Sequence, residues 1–407
     1  MKNKIKIGTG LTALCLALLM TVSLLSGCSV FEYVFGGETT SAEGTVTPGP
    51  SDSGTGTPSS SSAETGGDIT SVPADTTDRI TETFVSETSS GPVVTYPDPL
   101  TGLPVTKDYS KVRPVAIAID NLSSAAPQSG ISRADILIEC MVESGISRLI
   151  MITNKYEGNE VYGPVRSVRD YMVSLSQAFG TLFVGAGYSP TGYSSITENK
   201  IEYIDGVHDR YAMSGFFRDP VRYENSGYEH SLMITGQGIK ALAAHNGFSL
   251  ADNVAEKFSF SNNVVLAGGD ATHAVLTYSS YQQVQLIYSK KENAYYRYQY
   301  GTKAHIDAES GYQLSFTNVF ILFADQEKIE GDTEGRLSVG VVGSGTGYYL
   351  TGGKYIPITW KRDTFTSSFV FSSDSGSFKV AAGKTFITVV DSKLKDTSAI
   401  NLNYKLS

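Results

Sequence analysis

Seven side chains between residues 120 and 169 carry the chemistry open to this chain: Asp120, Asn121, Glu139, Glu143, Arg148, Arg166 and Arg169. Ser144-Gly145 is a turn signal, so residues 134–143 and 146–153 read as a hairpin. A two-residue loop pairs Glu143 with Ile146 and Met141 with Arg148. Arg148 then lies diagonal to Glu139 and Glu143 on one face, while Ile136, Ile138, Cys140, Val142 and Leu149 turn to the core on the other. Two carboxylates can divide acid and base roles in glycoside hydrolysis, at a separation of roughly 5–9.5 Å. Residues four apart on an extended strand are about 13 Å apart. Glu139 and Glu143 alone are a poor catalytic pair, which leaves two readings: an ion-paired outer face, or a site completed by Asp120.

Arg166 and Arg169 flank Ser167, which fits the N-cap of a helix with Val168, Tyr171, Met172, Leu175 and Phe179 at helical spacing. Cations at a helix start oppose its dipole, at a cost of about a few tenths of a kcal/mol each. An internal carboxylate (Asp120, Glu139 or Glu143) would offset that. So would a bound anion, held by helix N–H groups and two guanidinium forks. Asp120-Asn121 closes the apolar run 115–119, and strand ends are where open α/β sheets place ligands. Asp-Asn is equally a turn signal. The expectation is that Asp120, Glu139, Glu143, Arg148, Arg166 and Arg169 converge in one cleft beside Asn121.

The elements that must position these residues read as follows. Residues 115–119 are a strand, 134–143 and 146–153 the hairpin, and 182–184 a further strand. Ser189-Pro190 opens a short helix. Residues 231–234 form a strand, and 235–246 a helix closed by Gly247. After about 262 the texture changes. Val264-Val265-Leu266 and residues 274–278, 283–288, 295–300 and 316–323 are short β-forming runs between turns. The expected fold class is α+β or α/β: a mixed α/β N-terminal domain over 96–255, followed by a β-rich C-terminal domain over 262–407. Gly343-Ser344-Gly345-Thr346-Gly347 reads as a hairpin turn, since a phosphate loop needs a helix after it. Tyr295, Tyr296, Tyr298 and Tyr300 suit cross-strand packing or, alternatively, stacking on sugars.

The N-terminus bounds the compartment. Lys2, Lys4 and Lys6 precede an apolar run over 7–25, and Leu25-Ser26-Gly27-Cys28 follows. This is a secretory signal closing on a lipobox, with cleavage after residue 27 and a diacylglyceryl group on Cys28. The alternative is an uncleaved membrane anchor. Either places the rest of the chain on the extracytoplasmic face of a membrane. Residues 28–95 are mostly Ser, Thr, Gly and Pro with scattered acids, which is a disordered tether. As a coil it spans roughly 45 Å on average, and at full extension roughly 200 Å.

Charge and cysteine usage exclude several functions. Residues 28–98 hold eleven acidic residues and one basic residue, whereas 99–407 hold 30 acidic and 28 basic, so the folded part is nearly neutral. It has no basic stripe for nucleic acid or for anionic lipid. Of three cysteines only Cys140 stays in the folded part, which rules out an intramolecular disulfide. Its apolar neighbours make it a buried, inert thiol. His208-Asp209-Arg210 reads as a surface loop. His230, His245, His273 and His305 are scattered singly, with no HExxH or CxxC, so no metal and no cofactor is expected.

Several motifs occur in order: Asp98-Pro99-Leu100-Thr101-Gly102-Leu103-Pro104, Arg113-Pro114-Val115-Ala116-Ile117-Ala118-Ile119-Asp120-Asn121, Pro127-Gln128-Ser129-Gly130, Val142-Glu143-Ser144-Gly145-Ile146-Ser147-Arg148 and Gly163-Pro164-Val165-Arg166-Ser167-Val168-Arg169. Together they resemble the YerB-like lipoprotein family of Gram-positive bacteria, and Tyr295-Tyr296-Arg297, Asn318-Val319, Gly353-Lys354 and Trp360-Lys361 echo its C-terminal domain. The resemblance covers roughly 97–405. It implies a two-domain, lipid-anchored envelope protein and carries no assigned reaction. Where the family usually has Pro-His-Asn this chain has Glu229-His230-Ser231, which counts against a role for His230. The expected partners are the membrane, through the lipid, and a wall peptide, glycan or envelope protein at the polar cleft. The alternative is a glycan or phosphodiester hydrolase using Asp120 with Glu139 or Glu143.

Overall fold

Val115–Asp120 (β1), Ile136–Met141 (β2), Ser147–Thr153 (β3), Leu182–Gly185 (β4) and Tyr203–Asp205 (β5) are apolar runs that become buried strands of one large mixed sheet. This computed structural model describes residues 94–405, apart from 253, 255 and 256. The signal segment 1–27, Cys28 and nearly all of the tether 28–95 lie outside the described residues.

A second, six-stranded sheet is built on His273–Thr277 (β6), Gln283–Ser289 (β7) and Ala294–Gln299 (β8). The chain then returns to the first sheet with Asn318–Ala324 (β9), Gly343–Thr351 (β10), Lys354–Arg362 (β11) and Thr385–Asp391 (β12). The large sheet has 11 strands, in the order Gly269–Asp270, β11, β10, β9, β12, β2, β3, β1, β4, β5, with Val370–Ser372 beside β11. Its middle is a parallel pairing of β12 with β2, from Thr385 opposite Ile136 to Val389 opposite Cys140. Both regions of the sequence therefore share one sheet. The N-terminal region is mixed α/β and the C-terminal region β-rich.

Both faces of the large sheet are covered, which is why its strands read as continuous apolar runs. Ile117, Ile119, Leu137, Leu149 and Met151 pack with Ile239 and Leu242 and with Leu276, Leu286 and Tyr295 of the second sheet. On the opposite face Ala116, Ala118, Ile138, Cys140 and Ile150 pack under Tyr171, Met172 and Leu175. Those three belong to Asp170–Gln177 (α1). Cys140 is buried, and burial pushes its thiol up to about 12, so it remains a protonated, inert thiol.

Local signals account for most element ends. The Ser189 hydroxyl accepts from the Gly192 amide at 3.0 Å to cap Pro190–Glu198 (α2). Pro220–Ser226 (α3) is capped by Asp219. Thr235 caps Gly236–Asn246 (α4), which stops at left-handed Gly247. Asp98 is buried: its Oδ1 accepts from the Leu100 and Thr101 amides, and its Oδ2 and Asp135 Oδ1 each lie 2.7 Å from Lys155 Nζ. The opening motif thus clamps the start of the domain to β2 and β3.

Two expectations are corrected. Val264-Val265-Leu266 is not a strand, and Val265 is largely exposed. Gly343-Ser344-Gly345-Thr346-Gly347 is not a turn but the first half of β10, paired with β11. The turn is Gly352-Gly353, both at positive φ, between paired Thr351 and Lys354, as a two-residue hairpin loop requires. Glycine at 345 allows close approach instead: a Cβ there would stand 2.6 Å from the Phe323 carbonyl and 2.7 Å from the Trp360 ring.

Candidate functional site

β1 ends in two polar residues that go to opposite faces of the sheet. Asp120 lies over the α1 side, while Asn121 lies under the second sheet. This split divides the seven candidates into two groups.

The hairpin between β2 and β3 determines which residue goes where. Its loop is longer than two residues. Val142 donates to the Ile146 carbonyl, Glu143–Gly145 forms a 3-10 turn, and Ser144 and Gly145 are both left-handed. Cys140 therefore faces Arg148 and Glu139 faces Leu149, where the two-residue loop would pair Met141 with Arg148. That shift of one residue moves Arg148 to the other face of the sheet. It leaves Glu139 behind, so the two are not neighbours.

On the α1 face, Asp120, Glu143, Arg148, Arg166 and Arg169 come together. Arg148 is opposite Asp120 in the β1–β3 ladder and donates through Nη1 to the Ser167 carbonyl. Residues 165–168 run extended past the strand ends: the Arg166 amide donates to the Ala118 carbonyl and its own carbonyl accepts from Ala186. Ser167 is therefore not the helix cap. α1 begins at Asp170 with Arg169 in the cap position and no side-chain cap bond. Arg169 alone stands at the helix start, and Glu143 offsets its charge by taking both Nε and Nη2. Arg166 Nε lies 3.3 Å from Asp120 Oδ2, and its Nη1 and Nη2 both reach Glu229 Oε2 at 3.1 Å.

His230 joins this group, and so does Ser124. His230 Nδ1 is 2.7 Å from Asp120 Oδ2, and its Nε2 is 3.1 Å from Ser124 Oγ. The other Asp120 oxygen accepts from the Leu122 amide at 3.0 Å, which folds residues 123–125 into the turn that carries Ser124. His230 ends a 3-10 turn that follows α3. His230 stands 110 residues from Asp120 in sequence, and its tripeptide departs from the family pattern, so nothing local drew attention to it. The one signal was the histidine itself, kept inside an altered tripeptide.

Charge and burial set the state of the group. Burial pushes the Asp120 carboxyl up, but the His230 hydrogen bond, Arg166 and the Leu122 amide together hold it below its ordinary 3.8. Glu143 is likewise lowered: burial opposes ionisation and Arg169 outweighs it. Arg148 is pushed down to about 10, by burial first and then by neighbouring Arg169 and Arg166. At neutral pH Asp120 and Glu143 are ionised and Arg148 remains cationic.

Glu139 and Asn121 form the second group, on the opposite face. Glu139 Oε2 lies 2.7 Å from Arg297 Nη2, with both side chains essentially unexposed. Its Oε1 accepts from Ser147, Gln282 and Asn121 at 2.6, 2.8 and 3.2 Å. Gln128 links Asn121 to buried His305, which in turn contacts Arg297. This network joins the two sheets. Beside it an open cleft of about 360 Å³ is lined by Thr277, Ser279, Tyr281, Gln283 and Tyr300. No group of three or more His, Cys, Asp or Glu placed to hold a metal ion occurs among the described residues, and no described helix is long and apolar enough to cross a membrane.

Comparison with known proteins gives a consistent assignment. The chain is 30% identical over 295 residues to a Bacillus subtilis (strain 168) protein named "Putative lipoprotein YerB", covering 72% of this chain and 85% of that one. The crystal structure of YerB protein from Bacillus subtilis superposes with a TM-score of 0.65 at 28% identity, over 76% of this chain and all of that one. Residues 100–249 match the N-terminal domain, and residues 274–387 the C-terminal domain, of the family described as "Protein of unknown function (DUF3048)". On these matches the chain belongs to the DUF3048 family, together with YerB.

Proposed function

We propose that this chain is a lipid-anchored protein of the extracytoplasmic membrane face that binds an anionic cell-envelope ligand, such as the carboxylates of wall peptides, beside Asp120 and Arg166. The lipobox at Cys28 and the likeness to a lipoprotein support the anchor. Metabolic labelling with a fatty acid tests it: label enters the wild-type chain and is lost in Cys28→Ala. Label retained on the variant contradicts it.

One observation carries the binding reading. The inner edge of the Arg166 guanidinium is ion-paired with buried Asp120 at 3.3 Å without a hydrogen bond, while its outer edge donates to the backbone carbonyl and to the carboxylate of Glu229, whose side chain is 70% exposed. An exposed ion pair contributes about 0–1 kcal/mol, so a ligand carboxylate can displace Glu229 at little cost. Tyr223 of α3 and Tyr228 of the turn that carries Glu229 are exposed and meet edge to face. Titration with a soluble muropeptide, as free acid and with its carboxylates amidated, tests the reading. Only the free acid binds; equal binding of both forms contradicts it.

The alternative hydrolase working through Asp120 with Glu139 or Glu143 finds no support in this arrangement. Glu139 is saturated by Arg297, Ser147, Gln282 and Asn121 on the far face, and Glu143 is held by Arg169.

A further inference from the structure

We propose that Ser124, His230 and Asp120 form a nucleophilic relay that cleaves carboxylic esters bearing an anionic group; only the anionic character of the substrate rests on the binding reading above. Ser124 Oγ is 3.1 Å from His230 Nε2, and His230 Nδ1 is 2.7 Å from Asp120 Oδ2. An ionised carboxylate only accepts hydrogen bonds, so Nδ1 carries the proton it donates to Asp120. Nε2 is then the acceptor that faces the serine. That is the tautomer a general base needs.

Burial grades along the relay in the sense such chemistry requires. The Asp120 side chain is 3% exposed and that of His230 14%, while Ser124 is on the surface. The base is thus oriented by a buried charge, and the nucleophile is open to a macromolecular or small substrate. Asp120 is also held by Arg166 and the Leu122 amide besides His230. Ser124 is fixed too. Arg222 Nη1 donates to the Ala125 carbonyl at 2.9 Å, which ties the turn to α3, and the turn after α3 carries His230. Nucleophile and base are thus set on two segments joined by a side-chain strut. Such placement at hydrogen-bond distance is the signature of an activated hydroxyl.

The step balances without any group beyond water. Ser124 Oγ attacks the ester carbonyl carbon as its proton passes to His230 Nε2. The C–O bond to the alcohol breaks, the alcohol takes that proton, and an acyl-serine remains. Water, deprotonated by His230, then attacks the acyl carbonyl, and Ser124 Oγ leaves with the proton. The products are one carboxylic acid and one alcohol. Arg166 stands against Asp120, at the buried end of the relay.

A fluorophosphonate probe tests the relay on the full chain in detergent micelles, with the labelled residue mapped by mass spectrometry. The expected result is label on Ser124, lost in Ser124→Ala and slowed about 100-fold or more in His230→Gln, the usual size of a general-base contribution. The neighbouring Ser123→Ala change leaves labelling intact, which shows that the signal belongs to one hydroxyl rather than to an exposed turn. No label on the native chain, label spread over other serines, or label on Ser124 unaffected by His230→Gln overturns the proposal. Muropeptide binding is measured on the same preparation. Binding without labelling overturns the relay and leaves the arginine reading standing; labelling without binding keeps the relay and removes its anionic substrate class.

Discussion

Glu139→Ala lowers the melting temperature by about 6–15 °C. Removing Glu139 leaves Arg297 charged, buried and without its carboxylate, on the unexposed inner face between the two sheets. Breaking a buried pair by deleting one partner costs about 3–5 kcal/mol, and a domain of this size loses roughly 2–3 °C per kcal/mol. Ser147, Gln282 and Asn121 also lose their shared acceptor, which adds to the loss. The double change Glu139→Leu with Arg297→Met removes both charges and recovers much of the difference. Thermal melts of the two variants check this. A single variant within about 1 kcal/mol of wild type would show that the pair does not hold the sheets together.

Stability also falls on mild acidification, through His305. That ring is fully buried, with Nε2 2.9 Å from Gln128 Oε1 and Nδ1 against Arg297 Nη1. Arginine only donates, so Nδ1 accepts, Nε2 carries the proton, and the imidazole is neutral. Burial, and then Arg297, push its pKa well below the ordinary 6.5. The unfolded chain takes up a proton below 6.5 that the folded chain refuses. The stabilisation is therefore present above that value and lost as pH falls through it, at up to about 1.4 kcal/mol per pH unit. Carboxylates lowered by pairing, such as Asp120 and Glu143, act only at more acid pH. Urea unfolding at pH 7, 6 and 5 shows the slope in wild type and loses it in His305→Gln; equal slopes in both assign the acid sensitivity elsewhere.

Local signals were legible in the sequence, and long-range ones were not. Ser189, Thr235 and Gly247 mark helix ends by their own chemistry, and the strands of the core announce themselves as apolar runs. The nearness of Asp120, Glu143, Arg148, Arg166 and Arg169 follows from one hairpin and one extended segment, all within 50 residues. The face on which Arg148 lies depends on Ser144 adopting a left-handed conformation. Serine does not advertise that conformation as glycine or asparagine would, and the register slipped accordingly. Glu139 reads as an outer-face charge because its partner Arg297 stands 158 residues away in a second sheet. The strand alone gives no sign that this face is covered. His230 and Ser124, 106 residues apart, meet for the same reason: α3 and the turn after it fold back over the end of β1.

Arg166 is the centre of the proposed site, ion-paired inward with Asp120 and outward with the exchangeable carboxylate of Glu229. The most direct measurement is muropeptide affinity in two single variants, Arg166→Met and Glu229→Gln. The first removes a charge-assisted hydrogen-bond donor of about 1.5–3 kcal/mol, a loss of roughly 10- to 100-fold. The second removes the internal competitor and tightens binding by up to about fivefold, the worth of an exposed pair. Opposite shifts are the predicted result. Affinity unchanged in Arg166→Met, or weakened in Glu229→Gln, would contradict an anion site at Arg166.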